Sequence, residues 1–235
     1  MLSHNAKPMK LNPKYKAVCF DMDGTLLNTK VDYAKMANVA FDEMVRLGVP
    51  ETAIDRSESF KFNIDSGIKY LKEHNKVEDI YKIGINISKM ARDIEMERVD
   101  EARPFDGTNP LLDLIHSFGL STGVLTRGCR EYAEAVLKKC DSLKRIDCLI
   151  ARDDYPEEES KPSPIAMQHM ADKLHVKTDE ILYFGDHGMD YRCAKDAGTD
   201  FIAVTTGAFR SDDWMKEGVK VEFDSITDFY RSLMA

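Results

Sequence analysis

Lys16-Ala-Val-Cys-Phe-Asp-Met-Asp-Gly-Thr25 is an apolar run that ends at two aspartates. A short, continuous apolar run is typical of a strand buried on both faces of a parallel sheet. Asp21 and Asp23, two residues apart at its end, are expected to point into one crevice where the chain turns. Gly24 permits that turn, because glycine tolerates positive φ and close backbone approach. The stretch therefore predicts a buried strand that leads into a polar site.

Four similar runs follow along the chain, at 120–125, 146–150, 181–184 and 201–204, and helical patterns separate most of them. Apolar strands with intervening helices indicate a parallel sheet covered on both faces. The predicted fold class is therefore α/β, with a doubly wound parallel sheet. In such a fold, ligands bind beyond the carboxyl ends of the strands.

Two core helices have recognisable starts. Asn109 is expected to cap one helix, with Pro110 at its first helical position. Another helix should begin at Ser163 or Pro164 and run to about Leu174.

Residues 30–103 break this alternation and predict an all-helical insert. The core would then comprise 15–29 and 104–235, after a loose tail at 1–14. Two sets of apolar residues in the insert follow helical spacing: Tyr33, Met36, Ala37, Ala40 and Met44, and then Ile80, Ile83, Ile87, Ala91 and Ile94.

The composition excludes several classes of protein. Apolar residues make up 43% and charged residues 31%, and the net charge is −8. This acidic balance argues against a nucleic-acid partner, so an anionic substrate would need a local positive site such as a bound metal ion. The five cysteines are scattered, which favours reduced thiols. A polar N-terminal segment and the lack of a long apolar run favour a cytoplasmic protein with no membrane partner.

Three further motifs lie at or soon after the ends of later predicted strands. Thr126 ends the run Gly123-Val-Leu-Thr126, Lys161-Pro162 follows the next run, and Gly185-Asp-His-Gly-Met-Asp190 carries an acidic pair. Together with Asp21 and Asp23, in this order, they resemble the four signatures of the haloacid dehalogenase superfamily. The resemblance covers the chain from about Lys16 onward. The insert resembles the helical cap of its phosphoglycolate-phosphatase-like members.

This resemblance implies a phosphatase site. Asp21 would be the nucleophile that is transiently phosphorylated, since a carboxylate can accept a phosphoryl group. Asp23 would protonate the leaving alcohol and then activate water. Lys161 and Thr126 would hold the phosphoryl oxygens, as a charge and as a hydroxyl donor.

The resemblance also implies a Mg²⁺ cofactor. Its protein ligands would be Asp21, the backbone carbonyl of Asp23, and Asp186, while Asp190 would orient the site from further out or through water. Oxygen-only ligands suit this hard cation, which also offsets the repulsion between several carboxylates and an anionic substrate.

Five further residues are candidates for substrate contact. His187 stands where relatives often carry a small residue, and Arg127 follows Thr126. Three residues of the insert could contact the second anionic or hydroxyl end of a substrate: Lys61, Lys69 and Arg56. Each of the five, taken alone, is more typical of a solvated surface residue.

The expected activity is hydrolysis of a small phosphorylated metabolite by a monomer or homodimer. Dehalogenases and phosphonatases of this superfamily lack the acid–base aspartate, and Asp23 argues against both. A sugar-phosphate mutase remains an alternative, although its usual motif has an acidic residue where this chain has Asn28. A catalytically silent binding or regulatory protein on the same fold is an alternative of another class.

Overall fold

The structure, a computed structural model, describes residues 11–235, except for the side chains at 77–79, 81–83 and 85. It divides the chain into two compact units. One combines the residues up to Thr29 with Asp100–Ala235, and the other is Lys30–Val99.

The first unit is built on a parallel sheet of five strands in the order β5-β4-β1-β6-β7, beside a separate antiparallel pair, β2 and β3. The strands are β1 (Ala17–Phe20), β2 (Leu27–Asn28), β3 (Arg103–Pro104), β4 (Ser121–Leu125), β5 (Cys148–Ile150), β6 (Ile181–Gly185) and β7 (Asp200–Ala203). The five predicted apolar runs are the five strands of the parallel sheet, so the predicted α/β fold with a parallel sheet is confirmed.

The sequence of β1 explains its central place. All four of its residues are fully buried, and Ala17 is in register with Ser121 of β4 on one side and with Ile181 of β6 on the other. Phe20 stacks on Phe184 of β6, with ring centroids 5.3 Å apart. A strand covered on both faces and paired along both edges holds the residue that follows it in a fixed position.

Helices surround the sheet and make up most of the second unit. In chain order they are α1 (Tyr33–Arg46), α2 (Phe60–Glu73), α3 (Val77–Met96), α4 (Thr108–Ser117), α5 (Arg130–Lys139), α6 (Pro164–Leu174), α7 (Gly188–Ala197), α8 (Ser211–Lys216) and α9 (Ile226–Met234). Helix α6 begins as expected, because the Ser163 hydroxyl accepts a hydrogen bond from the backbone N–H of Ile165 at 3.4 Å.

The predicted cap of α4 is wrong. Gly107, not Asn109, precedes the first helical residue, so Asn109 lies within the first turn. The Asn109 side chain instead makes long-range contacts: its amide donates to the carbonyl of Cys140 at 2.9 Å, and its oxygen accepts from Ser142 at 2.7 Å. These two partners fix the side chain away from the backbone of its own helix.

Two features near the boundary of the units were not predicted. Strands β2 and β3 form a two-stranded antiparallel pair, with Leu27 opposite Pro104. The first unit resumes at Asp100, so β3 belongs to the first unit. The predicted insert, which ended at Arg103, would have included the first residue of β3. Runs of two residues are too short to show a periodic pattern, which is why the sequence did not indicate them.

The second unit, Lys30–Val99, has an apolar interior of its own, formed by Phe41, Met44, Val49, Ile54, Leu71 and Ile87. Helices α1 and α3 occupy the predicted positions, whereas α2 was not predicted. The side chain of Ile83 lies outside the described residues. At the start of α1, the carboxylate of Asp32 accepts from the N–H of Lys35 at 2.8 Å and caps the helix.

Residues 1–10 of the predicted tail lie outside the described residues. Beyond them, Lys14 forms an ion pair with Asp200 of β7 at 2.7 Å, and the Tyr15 hydroxyl donates to the same carboxylate at 2.5 Å. Among the described helices, none combines the length and apolar character that a membrane crossing requires.

Candidate active site

The chain turns sharply where β1 ends. The N–H of Asp21 donates to the carbonyl of Phe184 at 2.8 Å, which extends the pairing of β1 with β6 by one residue. The backbone then folds back, and the N–H groups of Leu26 and Leu27 both donate to the carbonyl of Met22. Gly24 has φ +85°, a left-handed conformation that favours glycine. The predicted turn at Gly24 is therefore confirmed.

Lys161 is buried and contacts aspartates of two other motifs. Lys161 Nζ lies 2.5 Å from Asp21 Oδ1 and 2.6 Å from Asp190 Oδ1, and only 2% of the Lys161 side chain is exposed. Asp190 Oδ2 also accepts from the N–H of His187 at 3.1 Å. Residues from three distant motifs thus meet at the carboxyl ends of β1 and β6, although they are far apart in the chain.

The Asp186 carboxylate is held by donors on both of its oxygens. The Thr25 hydroxyl donates to Oδ1 at 2.8 Å, and the N–H of Ala208 donates to Oδ2 at 2.6 Å. These bonds fix its orientation beside Asp21.

The segment 205–209 closes over this region. The Thr206 hydroxyl donates to the carbonyl of Gly24 at 2.5 Å. A Cβ on Gly24 would lie 2.7 Å from the Cα of Gly207, and a Cβ on Gly207 would lie 1.9 Å from Asp186 Oδ2. Glycine at both positions therefore allows the two backbones and the carboxylate to pack directly against each other.

The site concentrates negative charge. Asp21, Asp186 and Asp190 are buried, and each offers a carboxylate oxygen within 4.8 Å of the others. Burial raises the pKa of Asp21 well above its usual range, against the opposing effect of Lys161. Burial and the nearby Asp190 raise the pKa of Asp186 to about 6. Although burial disfavours the ammonium, Asp190 and Asp21 keep the pKa of Lys161 above its usual value.

This donor set fits a hard divalent cation. Three carboxylates face one ammonium, so their mutual repulsion favours a further positive charge. All the offered ligands are oxygens, which Mg²⁺ prefers over softer metals. Asp21 and Asp186 could hold such an ion more readily than Asp190, because Asp190 accepts two hydrogen bonds on Oδ1 and a third on Oδ2.

Asp23, the second aspartate of the first motif, is half-buried. Its Oδ1 accepts from the Thr29 hydroxyl at 2.6 Å and from the Tyr132 hydroxyl, also at 2.6 Å. Two hydroxyl groups thus bind Asp23 Oδ1, whereas the Lys161 ammonium binds Asp21 and Asp190.

Thr126 follows β4 as expected and is buried. Its N–H donates to the carbonyl of Ile150 at 2.9 Å, and its hydroxyl oxygen accepts from the N–H of Gly128 at 2.9 Å. The hydroxyl can accept this bond and still donate its own hydrogen, so it retains the donor that a phosphoryl oxygen would need.

Three side chains that organise the site were not predicted from the sequence. Tyr183 on β6 donates to Asp190 Oδ1 at 3.0 Å, and its oxygen lies 3.2 Å from Lys161 Nζ. The second is Thr25, which stands inside the first motif but received no role. The third is Tyr132. A phenol within the apolar run of β6 was the available signal for Tyr183, whereas Tyr132 carries no local signal at all.

The two candidate residues next to the motifs have structural partners. His187 caps α7, where its Nδ1 accepts from the N–H of Met189 at 3.1 Å, and burial lowers its pKa. Arg127 forms an ion pair with Glu157 at 2.7 Å. Its other terminal nitrogen, Nη1, is buried and has no hydrogen-bond partner within the described part of the chain.

The three candidates in the second unit are on its surface or near it. Arg56 forms an ion pair with Asp42 at 2.5 Å, and Lys61 pairs with Asp65 at 3.1 Å. Lys69 is an exposed residue of α2. Their contact with a substrate stays a prediction.

Known proteins resemble this chain over most of its length. Residues 18–204 match the family described as haloacid dehalogenase-like hydrolase. An N-acetylmuramic acid 6-phosphate phosphatase from Pseudomonas aeruginosa is 27% identical over 85% of this chain and 86% of its own length. A phosphoglycolate phosphatase from Nitrosospira multiformis is 25% identical over 82% of this chain and 84% of its own length.

A solved structure supports the same fold. A Haemophilus somnus 129PT protein, assigned by prediction as a phosphoglycolate phosphatase, superposes with a TM-score of 0.64 at 19% identity. The match covers 93% of this chain and 97% of the other.

The sheet, the order of the motifs and the acidic cluster define a hydrolase with an α/β core. The chain belongs to the haloacid dehalogenase-like hydrolase family. The superfamily predicted from the four motifs is thus confirmed, and so is the predicted enzyme class, a phosphoric monoester hydrolase, in agreement with the phosphatases that the chain resembles.

Proposed function

We propose that this enzyme hydrolyses a small phosphomonoester in a Mg²⁺-dependent reaction, through an aspartyl-phosphate on Asp21. The observation that carries the proposal is the contact of one buried ammonium, Lys161 Nζ, with both Asp21 and Asp190, beside the carboxylate of Asp186. Such a site combines a carboxylate nucleophile with the positive charge that a transferring phosphoryl group needs.

In the first step, a carboxylate oxygen of Asp21 forms a bond to phosphorus as the bond from phosphorus to the ester oxygen breaks. Asp23 gives its proton to that oxygen, which leaves as an alcohol. In the second step, the Asp23 carboxylate removes a proton from water, and the water oxygen attacks the same phosphorus. Inorganic phosphate leaves, and Asp21 is again a carboxylate.

Two residues would stabilise the transferring group. Lys161 offers an ammonium held in place by Asp190 and Tyr183, so it needs little rearrangement when the charge shifts onto the phosphoryl oxygens. The hydroxyl hydrogen of Thr126 would be the second donor.

Asp21, Asp186 and the backbone carbonyl of Asp23 would hold Mg²⁺, with Asp190 orienting Lys161. When bound, the ion supplies positive charge that offsets the repulsion between the carboxylates and a phosphate ester.

The size of the substrate is inferred from the second unit and from the relatives. The helical unit 30–99 is inserted between the first and second motifs, where we propose that it acts as a cap that limits access to small molecules. The two relatives at 27% and 25% identity are named for phosphate esters of small molecules. The substrate class proposed here is therefore a small phosphorylated metabolite.

A panel of small phosphate esters, assayed for inorganic phosphate with and without Mg²⁺, tests this function. We expect Mg²⁺-dependent release of phosphate from at least one ester, and its loss in Asp21→Asn. Transfer of the phosphoryl group to a second sugar hydroxyl, without release of phosphate, would support the mutase alternative. Binding of esters with no turnover in either assay would support the silent binding protein.

A further inference from the structure

Tyr132 reaches the site from outside the four motifs. It lies on α5, 109 residues beyond Asp23, and its side chain is almost fully buried, with 1% exposed. Its hydroxyl donates to Asp23 Oδ1 at 2.6 Å. A buried phenol usually has a hydrogen-bond partner, but the partner here is the residue proposed as the acid and base.

The packing of the ring fixes the position of this hydroxyl. A Cβ on Gly128 would lie 2.8 Å from Tyr132 Cδ1, closer than real side chains approach, so the ring rests directly on the glycine backbone. The N–H of the same glycine donates to the Thr126 hydroxyl. The turn between β4 and α5 therefore places Thr126 and Tyr132 together, one toward the phosphoryl site and one toward Asp23.

Asp23 needs such a constraint. The terminal torsion of an aspartate side chain is broad, so a carboxyl group swings unless hydrogen bonds hold it. Thr29 and Tyr132 both donate to Oδ1, and together they use the two lone pairs of that oxygen. These two hydrogen bonds restrict rotation of the carboxyl group, so we expect it to keep one orientation and to exchange its proton at Oδ2.

We propose that Tyr132 is a positioning residue that orients the Asp23 carboxyl group for proton transfer to the leaving alcohol. The proposal rests on the proposed phosphatase function. It predicts a selective defect: esters with poor leaving groups need the proton and should suffer, whereas esters with good leaving groups should not.

The test compares two substrates in the full-length enzyme with Mg²⁺. One is p-nitrophenyl phosphate, and the other is the alkyl ester of the panel with the highest kcat/KM in the wild type. In Tyr132→Phe, we expect kcat/KM to fall about tenfold for the alkyl ester and less than about twofold for p-nitrophenyl phosphate. The ratio kcat/KM is used because it reports the steps up to departure of the alcohol.

Tyr183→Phe is a matched control, because it also removes a buried phenol hydroxyl at the site. Its hydroxyl contacts Asp190 and Lys161 rather than Asp23. We expect it to reduce kcat/KM for both substrates by a similar factor, since every ester presents the same phosphoryl group.

Two more variants separate positioning from general damage. Gly128→Ala keeps the phenol but displaces its ring, and its Cβ would also lie 3.4 Å from Thr126 Oγ1. We therefore expect a loss on both substrates that is larger for the alkyl ester, so that the ratio of the two kcat/KM values still falls. If Tyr132→Phe does not fold, the ratio measured in Gly128→Ala tests the role of Tyr132 instead. In an Asp23→Asn background, Tyr132→Phe should have no further effect on the ratio of the two substrates, because residues that act through one group are not additive.

The outcomes distinguish the two proposals. A wild-type enzyme that hydrolyses no ester refutes the phosphatase function, and the role of Tyr132 with it. An active wild type whose folded Tyr132→Phe and Gly128→Ala variants keep the wild-type substrate ratio refutes the role of Tyr132 alone. In Tyr132→Phe, an equal loss on both substrates, or a change of the ratio that persists in the Asp23→Asn background, also refutes it.

Discussion

Lys161 Nζ contacts the Oδ1 atoms of Asp21 and Asp190 at 2.5 and 2.6 Å, so one ammonium is shared by two buried carboxylates. With Asp186 beside them, the site has an excess of negative charge when no cation is bound. We therefore expect the lysine to have two roles. It would offset the charge of the buried carboxylates before a substrate arrives, and it would stabilise the transferring phosphoryl group.

Replacing this lysine should reduce both turnover and stability. In Lys161→Met, we expect turnover to fall more than about 100-fold. With EDTA present, the free energy of unfolding should fall by about 3–5 kcal/mol, because breaking a buried ion pair leaves charges uncompensated. Mg²⁺ should recover part of this loss. Urea unfolding with EDTA or Mg²⁺ measures it, and Lys195→Met, at an exposed position on α7, is the control. If Lys161→Met and Lys195→Met were equally stable in EDTA, the predicted role of Lys161 in stability would be contradicted.

Asp21→Asn should abolish turnover and leave the fold intact. An amide oxygen is a poor nucleophile, and the side chain keeps its shape. Phosphate release and circular dichroism check this, with Asp172→Asn, an exposed carboxylate on α6, as the matched control. Appreciable activity in a homogeneous sample of Asp21→Asn would falsify its assignment as the nucleophile.

Metal should control both activity and stability. EDTA should abolish turnover reversibly, and saturating Mg²⁺ at 100 times its Kd should add about 2.7 kcal/mol to the free energy of unfolding. Asp186→Ala should lose this gain. Calcium should also stabilise the protein but inhibit it, because its larger and more flexible shell can bind both Asp21 oxygens. Full activity in EDTA would rule out the metal site.

A further prediction concerns how stability depends on pH. The Asp154 carboxylate accepts from Arg130 Nε at 2.7 Å and from the N–H of Ala151 at 2.9 Å. Burial opposes ionisation, but these hydrogen bonds outweigh it and hold the pKa of Asp154 below its usual range. Asp154→Asn should therefore lower the free energy of unfolding by about 1–3 kcal/mol at neutral pH.

The sign of the pH dependence follows from the lowered pKa of Asp154. Its contribution is complete above the pKa of an unfolded aspartate, about 3.9, and is lost as the pH falls through the lower folded value. The difference in stability between wild type and Asp154→Asn should thus shrink below about pH 4. Urea unfolding across this range measures it, and Asp179→Asn, an exposed position, is the control. A difference that stays constant with pH contradicts the prediction.

Sequence patterns predicted the sheet and most of the site for one physical reason. Strands buried on both faces must be continuously apolar, and residues at their carboxyl ends meet at one edge. This pattern placed Asp21, and the resemblance to the four signatures added Thr126 and Asp186 at the ends of later strands. Tyr132 could not be placed, because nothing near it in the chain reports a partner 109 residues away. The cap of α4 was predicted wrongly for a similar reason: Asn109 satisfies distant groups.

Deletion of the helical unit tests its proposed role in specificity. Replacing 30–99 with a Gly/Ser linker keeps β2 and β3, whereas the boundary predicted from the sequence, 103, would remove part of β3. We expect slow formation of the aspartyl-phosphate and weaker discrimination among esters. The ratio of kcat/KM for the best ester to that for p-nitrophenyl phosphate measures this, with light scattering as the control for aggregation. An unchanged ratio in a folded core would show that specificity does not depend on this unit.

The close packing of Gly24 against Gly207 has a consequence for synthesis of the chain. The carboxylate of Asp186 is fully oriented only when 205–209 has closed over it, although Asp21 and Gly24 leave the ribosome early. A nascent chain that stops soon after β6 would contain all four motifs and lack the backbone donor from Ala208. We therefore expect translation to be nearly complete before the Asp186 carboxylate reaches its full set of hydrogen bonds.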